Sequence, residues 1–210
     1  KQQKELKPET RFPQNGKILR LLRRNMPKGL KETSSQLVVS FDLSQANPND
    51  TVSERIDLQL NALDNEVFVV TGVKLDVSPP DFQITSAAGG ATRSRILASI
   101  SKQDVSSSTL GFGLRNPSVI AAQDIVVQTF TQTGTSGNDI TGVSTVMSDA
   151  SDTPSQLEYL DIIATPDFFV NVTSSNLVDT QGVEGKLYGY RARADAATYA
   201  ALVQSELLSQ

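Results

Sequence analysis

Cysteine and histidine are both missing from this 210-residue chain. Their joint absence excludes disulfides, zinc sites built from Cys and His, thiol nucleophiles, Ser-His-Asp triads and haem held by a His ligand. Tryptophan is absent as well, which deprives an immunoglobulin-like sandwich of its usual buried Trp and Cys pair. No run approaches 18 apolar residues, so no membrane-spanning helix is expected. No signal peptide is read at residue 1, where an apolar core and a small-residue cleavage site are lacking. With Lys and not Met in that position, what stands upstream is left open. No cofactor and no catalytic activity are expected.

What the chain does have is charge of one sign gathered at one end. Residues 1–33 hold ten bases, Lys1, Lys4, Lys7, Arg11, Lys17, Arg20, Arg23, Arg24, Lys28 and Lys31, against the acids Glu5, Glu9 and Glu32, a balance of +7. Residues 34–210 keep nine bases and twenty acids, −11, and the two parts sum to the net −4 of the whole. A basic arm on an acidic body is the charge pattern of a protein that holds a polyanion with its tail. Phe12 is the one aromatic among the arm's bases, so stacking on nucleobases and reading of base sequence are not expected.

The arm reads in two parts. Residues 1–15 are polar, interrupted by Pro8 and Pro13, and aperiodic. Then Ile18, Leu21, Leu22 and Met26 recur at helical spacing, with Arg20, Arg23 and Arg24 on other faces, before Pro27 and Gly29 stop the pattern. Such a short amphipathic helix needs a surface to order against, either a neighbouring subunit or the protein's own body. Those four apolar residues are the candidate subunit contacts.

From Gln36 the period changes to two. Strands are predicted near Leu37–Phe41, Ile56–Leu60, Glu66–Val77, Arg95–Lys102, Thr109–Arg115, Asp124–Gln132, Asp139–Met147, Gln156–Ala164, Asp167–Thr173 and Val183–Arg191. Residues 56–77 read as a hairpin with a bulge near Thr71-Gly72, and Phe130 falls out of step with Ile125 and Val127. At the end, Asp195 caps a helix with Tyr199, Leu202, Val203 and Leu207 on one stripe. Strands at this spacing, without alternating helices, predict one all-β domain over 34–210, an antiparallel β-sandwich ending in a short helix. A jelly roll is the first choice, an immunoglobulin-like sandwich the second and a larger barrel the third.

The loops carry weak signals only. Residues 86–95 (SAAGGATRSR) are read as a surface loop, lacking the Lys-Ser or Lys-Thr of a phosphate-binding loop. Asp149 and Asp152 lack the acid spacing and central Gly of a calcium loop. Asn49 and Asn171 head formal glycosylation triplets.

In its order of parts, a basic and partly helical arm ahead of a Ser/Thr-rich sandwich, the chain resembles a single-jelly-roll capsid protein of an icosahedral virus. That resemblance implies a non-enzymatic virion protein that self-assembles into a large closed shell. It also implies that the arm, inside the shell, contacts the genome without sequence preference or else neighbouring subunits. The spacing of the bases by Ile18, Leu19, Leu21 and Leu22 keeps a second arm role open, docking on an adjacent subunit or an inner membrane. The competing class is a non-enzymatic β-sandwich attachment module, such as a phage fibre, tail component or adhesin. No small-molecule substrate is expected in either case.

Overall fold

A computed structural model describes residues 27–78, 90–106, 111–133, 139–148 and 157–208 of the chain. Among the described residues, ten strands precede one α-helix: β1 (Leu30–Glu32), β2 (Leu37–Ser44), β3 (Thr51–Asp57), β4 (Glu66–Val77), β5 (Ala91–Ser101), β6 (Val119–Thr133), β7 (Asp139–Ser148), β8 (Asp161–Ile163), β9 (Asp167–Ser175), β10 (Gly182–Ala194) and α1 (Ala196–Leu208). They form two antiparallel sheets. In the first, β10 is flanked on one side by β1 and β2 in succession and on the other by β4, with β8 beyond it. The second runs β3-β9-β5-β6-β7. The pairings nest in chain order: β5 with β6, β4 with β8, β3 with β9, and β2 with β10.

Alternation explains why these segments are strands. Along β2, Phe41 and Leu43 point inward and are buried, while Val38, Ser40, Asp42 and Ser44 face out and are exposed. Phe68 and Val70 of β4, Ile96 and Ile100 of β5, and Phe168, Val170 and Val172 of β9 meet in one core between the sheets. Phe41 and Phe168 touch edge to face across it, ring centres 6.0 Å apart. Two inward positions of β10 are glycine because neighbouring rings fill their space: a Cβ on Gly185 would overlap Phe41, and one on Gly189 would overlap Phe68. The irregularity expected near Thr71-Gly72 is present, since Tyr188 pairs with Gly72 and Gly189 with Val70, leaving Thr71 as the extra residue.

Several expectations need correction. Residues 56–77 are not a hairpin: β3 pairs with β9 and β4 with β10, so the chain crosses from one sheet to the other between them. The strand expected over Ile56–Leu60 begins earlier, at Thr51, and ends at Asp57, whose carboxylate accepts from the Gln59 amide at 2.7 Å. Gln59 then takes a left-handed φ of 54°, which no strand continues. A short 3-10 turn, Ala62–Asp64, completes the crossing. The strand expected over Thr109–Arg115 is also absent from the described residues 111–115. There Gly111 has φ 73°, and the Asn116 side chain donates to the Gly111 carbonyl at 3.1 Å, fixing a turn. Residues 91–95, read as loop, are the first part of β5, and the strand expected over Gln156–Ala164 shortens to β8. The four apolar residues of the arm helix and Asp149 and Asp152 lie outside the described residues.

Each sheet has an outer face with its own cover. Val67, Val69, Tyr190 and Ala192, on the outside of the first sheet, are covered by Tyr199, Leu202 and Val203 of α1. On the second sheet, Val105 and Phe112 from the β5–β6 connection lie over Leu97, Val119 and Ala122. Beside them the fully buried Asn171 donates to Ser101 at 2.9 Å and accepts from Ser53 at 2.8 Å.

Candidate functional site

The arm enters the sandwich where the last strand ends and the helix begins. β1 pairs residue by residue with the end of β10, Leu30 opposite Ala194 and Lys31 opposite Arg193. One residue earlier, the Gly29 carbonyl accepts from the Asp195 amide at 2.9 Å. Gly29 has φ 84°, and a Cβ there would meet Thr198 Oγ1 at 2.5 Å and Asp195 Oδ2 at 2.8 Å. The position therefore requires glycine twice over, for its backbone and for the closeness of α1. Asp195 also caps α1, accepting from the Thr198 amide at 2.8 Å. That backbone hydrogen bond, joined by one from the Thr198 hydroxyl, holds its carboxyl below the usual aspartate range.

Of the ten bases named as nucleic-acid contacts, Lys28 and Lys31 are described, and both are exposed at this junction. Neither takes part in an ion pair among the described residues. Their neighbour Arg193 is held differently, 2.6 Å from Asp64. Lys1, Lys4, Lys7, Arg11, Lys17, Arg20, Arg23 and Arg24, together with Ile18, Leu21, Leu22 and Met26, lie outside the described residues.

The far end of α1 carries a feature that its sequence pattern did not announce. The position that turns inward after Tyr199, Leu202 and Val203 is Glu206, 2% exposed, whereas Leu207 is 58% exposed. Glu206 accepts from the amides of Ala164 at 2.8 Å and Thr165 at 3.1 Å, in the turn between β8 and β9. The Gln103 side chain donates to its backbone carbonyl. Lys102, 3.0 Å from Asp161, adds positive charge nearby. Burial nevertheless dominates and pushes the Glu206 carboxyl above the usual glutamate range. Glu206 thus ties α1 to the β8–β9 turn through its carboxylate and to the β5–β6 connection through its backbone carbonyl.

Both glycosylation triplets are structural here. Asn171 is fully buried, and Asn49 both donates to the Leu177 carbonyl at 3.1 Å and receives its amide at 2.7 Å. Among the described residues, no group of three or more acids is placed to hold a metal ion. No helix among them is long and apolar enough to cross a membrane. The chain matches no known family model and no curated protein.

Proposed function

We propose that this chain is a non-enzymatic capsid subunit of an icosahedral virion, a jelly roll that assembles into a closed shell and keeps its basic arm inside. The observation that carries the reading is the nesting of β2·β10, β3·β9, β4·β8 and β5·β6. A long hairpin whose pairs are nested in this way and which is then rolled into two facing sheets is a jelly roll, with β1 and β7 as additions at the edges. Jelly rolls serve as shell-building domains because their two faces and loops stay free for neighbours while the core is complete within one subunit. The basic arm ahead of β2 supports the same reading, as does the lack of any residue set for catalysis on cysteine or histidine.

The arm's part in this scheme is electrostatic. Residues 1–26 contain eight bases and two acids, +6, which leaves −10 for residues 27–210. Only the arm is attracted to a polyanion, and repetition over many subunits makes a weak attraction strong. Removal of residues 1–26 leaves Gly29 and β1 in place. The truncated protein should keep its thermal stability and lose non-specific binding to single- or double-stranded nucleic acid. Intact protein should bind with an affinity that falls by roughly one power of salt concentration for each phosphate neutralised, regardless of base sequence. Equal binding by truncated and intact chains would contradict the arm's role.

A further inference from the structure

The half of the first sheet's outer face that α1 does not cover carries an ordered pattern of charge. Across its three central strands, Asp42, Glu184 and Asp76 stand abreast as cross-strand partners. In the next outward row, Ser40, Lys186 and Lys74 stand abreast in the same way. All of these side chains are exposed and line a shallow groove of about 450 Å³. Like charges set directly opposite each other on a sheet repel. None of the five charged groups forms a salt bridge among the described residues. A row on either side completes the pattern: Val38, Tyr188 and Gly72 beyond the lysines, and Ser44, Gly182 and Ser78 beyond the acids.

We infer that this face pairs with the same face of a second copy, about a twofold axis lying along the rows and midway between the acids and the lysines. Rows on one face are about 7 Å apart, two residues of strand. Turning a copy about that axis sets each residue of the two central rows against the one two places along its own strand, and each residue of the outer rows against the one six places along. Glu184 then meets Lys186 of the second copy, Asp76 meets Lys74, and Asp42 meets the Ser40 hydroxyl, which can donate to it. Each contact occurs twice, as an isologous interface requires. Size is complementary as well as charge, since the Tyr188 ring comes over Gly182 and Val38 over Ser44. A partner of one charge sign, such as the basic arm of a neighbour, would gain at one row and be repelled at the other. The second copy is favoured at both. This deepens the assembly reading by naming one of its contacts, and it rests on that reading for its place in a shell.

Full-length chains with the face reversed in charge provide the test. Lys74→Glu with Lys186→Glu makes the face acidic, and Asp76→Lys with Glu184→Lys makes both central rows basic. All four sites are exposed, so both proteins should melt with the wild type. Sedimentation at low salt without nucleic acid should show the wild-type protein that has not entered shells as a dimer, which dissociates as salt is raised. Each variant alone should self-associate at least about tenfold more weakly. Mixing the two variants should restore association as a one-to-one complex. Two variants that associate like the wild type, or a mixture that recovers nothing, would overturn the inference. So would an acidic variant that associates more strongly than the wild type, a result that would assign the face to a basic segment. Negative-stain images of the same samples separate the two ideas: shells formed equally by both variants would leave the shell reading standing and remove this contact from it. Wild-type chains forming neither dimers nor shells would remove both.

Discussion

Two single residues hold the ends of α1, and they respond to acid in opposite directions. Asp195 at the start has a lowered pKa, so its stabilisation is present above the ordinary aspartate range and is lost as pH falls through the lowered value. Glu206 at the end has a raised pKa, so the folded chain holds its proton more tightly than the unfolded one. That penalty at neutral pH is relieved as pH falls through the raised value, and the relief is complete below the ordinary glutamate range of about 4.3. Denaturant unfolding of wild type and Glu206→Gln at pH 7 and pH 5 should therefore show the wild type gaining relative to the variant on acidification. A parallel pair of profiles would mean that Glu206 is not buried as described. Glu206→Ala strands the Ala164 and Thr165 amides and should cost about 1–3 kcal/mol for each donor left dry. Gly29→Ala should cost about 1–3 kcal/mol, from a strained left-handed backbone and the collision with Thr198; unchanged unfolding free energy would show that the arm root is not packed on α1.

At the scale of elements, the sequence was most legible where one strand face is buried and the other wet. β2, β9 and β10 follow their alternation almost residue by residue, and Phe130, out of step in the pattern, faces out at 45% exposure. Pairing was less legible, because alternation says which face is buried and not which strand lies alongside. β3 and β4 are separated by a short turn and look like a hairpin, yet their partners are β9 and β10, more than a hundred residues further on. Asn116 was the local signal that the segment before it is a turn, since its side chain bonds Gly111. In α1 the stripe was legible down to Val203 and then misled, because a glutamate is buried for the two amides it satisfies and a leucine beside it is not. Leu202→Ala should accordingly cost about 1–3 kcal/mol, less than a fully buried leucine, while Leu207→Gln should change stability by less than about 0.5 kcal/mol. Comparable losses at both positions, measured by chemical unfolding, would mean that the helix lies differently on the sheet.

For the whole molecule, the governing facts are a nested sandwich and a charge divided between +6 on residues 1–26 and −10 on the remainder. The sandwich completes its core within one chain, so the proposed shell would be held by its surfaces and its arm. Under the capsid proposal the arm contacts either genome or a neighbouring subunit, and the residues that divide the two, Arg20, Arg23 and Arg24 against Leu21 and Leu22, are adjacent in the sequence. Neutralising the three arginines should weaken polyanion binding in proportion to the charge removed, and making the two leucines polar should impair assembly if the arm docks on protein. The most direct measurement is the size of the purified full-length chain by light scattering, with negative-stain microscopy of the same sample in the presence and absence of nucleic acid. The account predicts closed particles of uniform diameter, formed more readily with nucleic acid at low salt. A small monodisperse solute under every condition would contradict it and favour an attachment module instead.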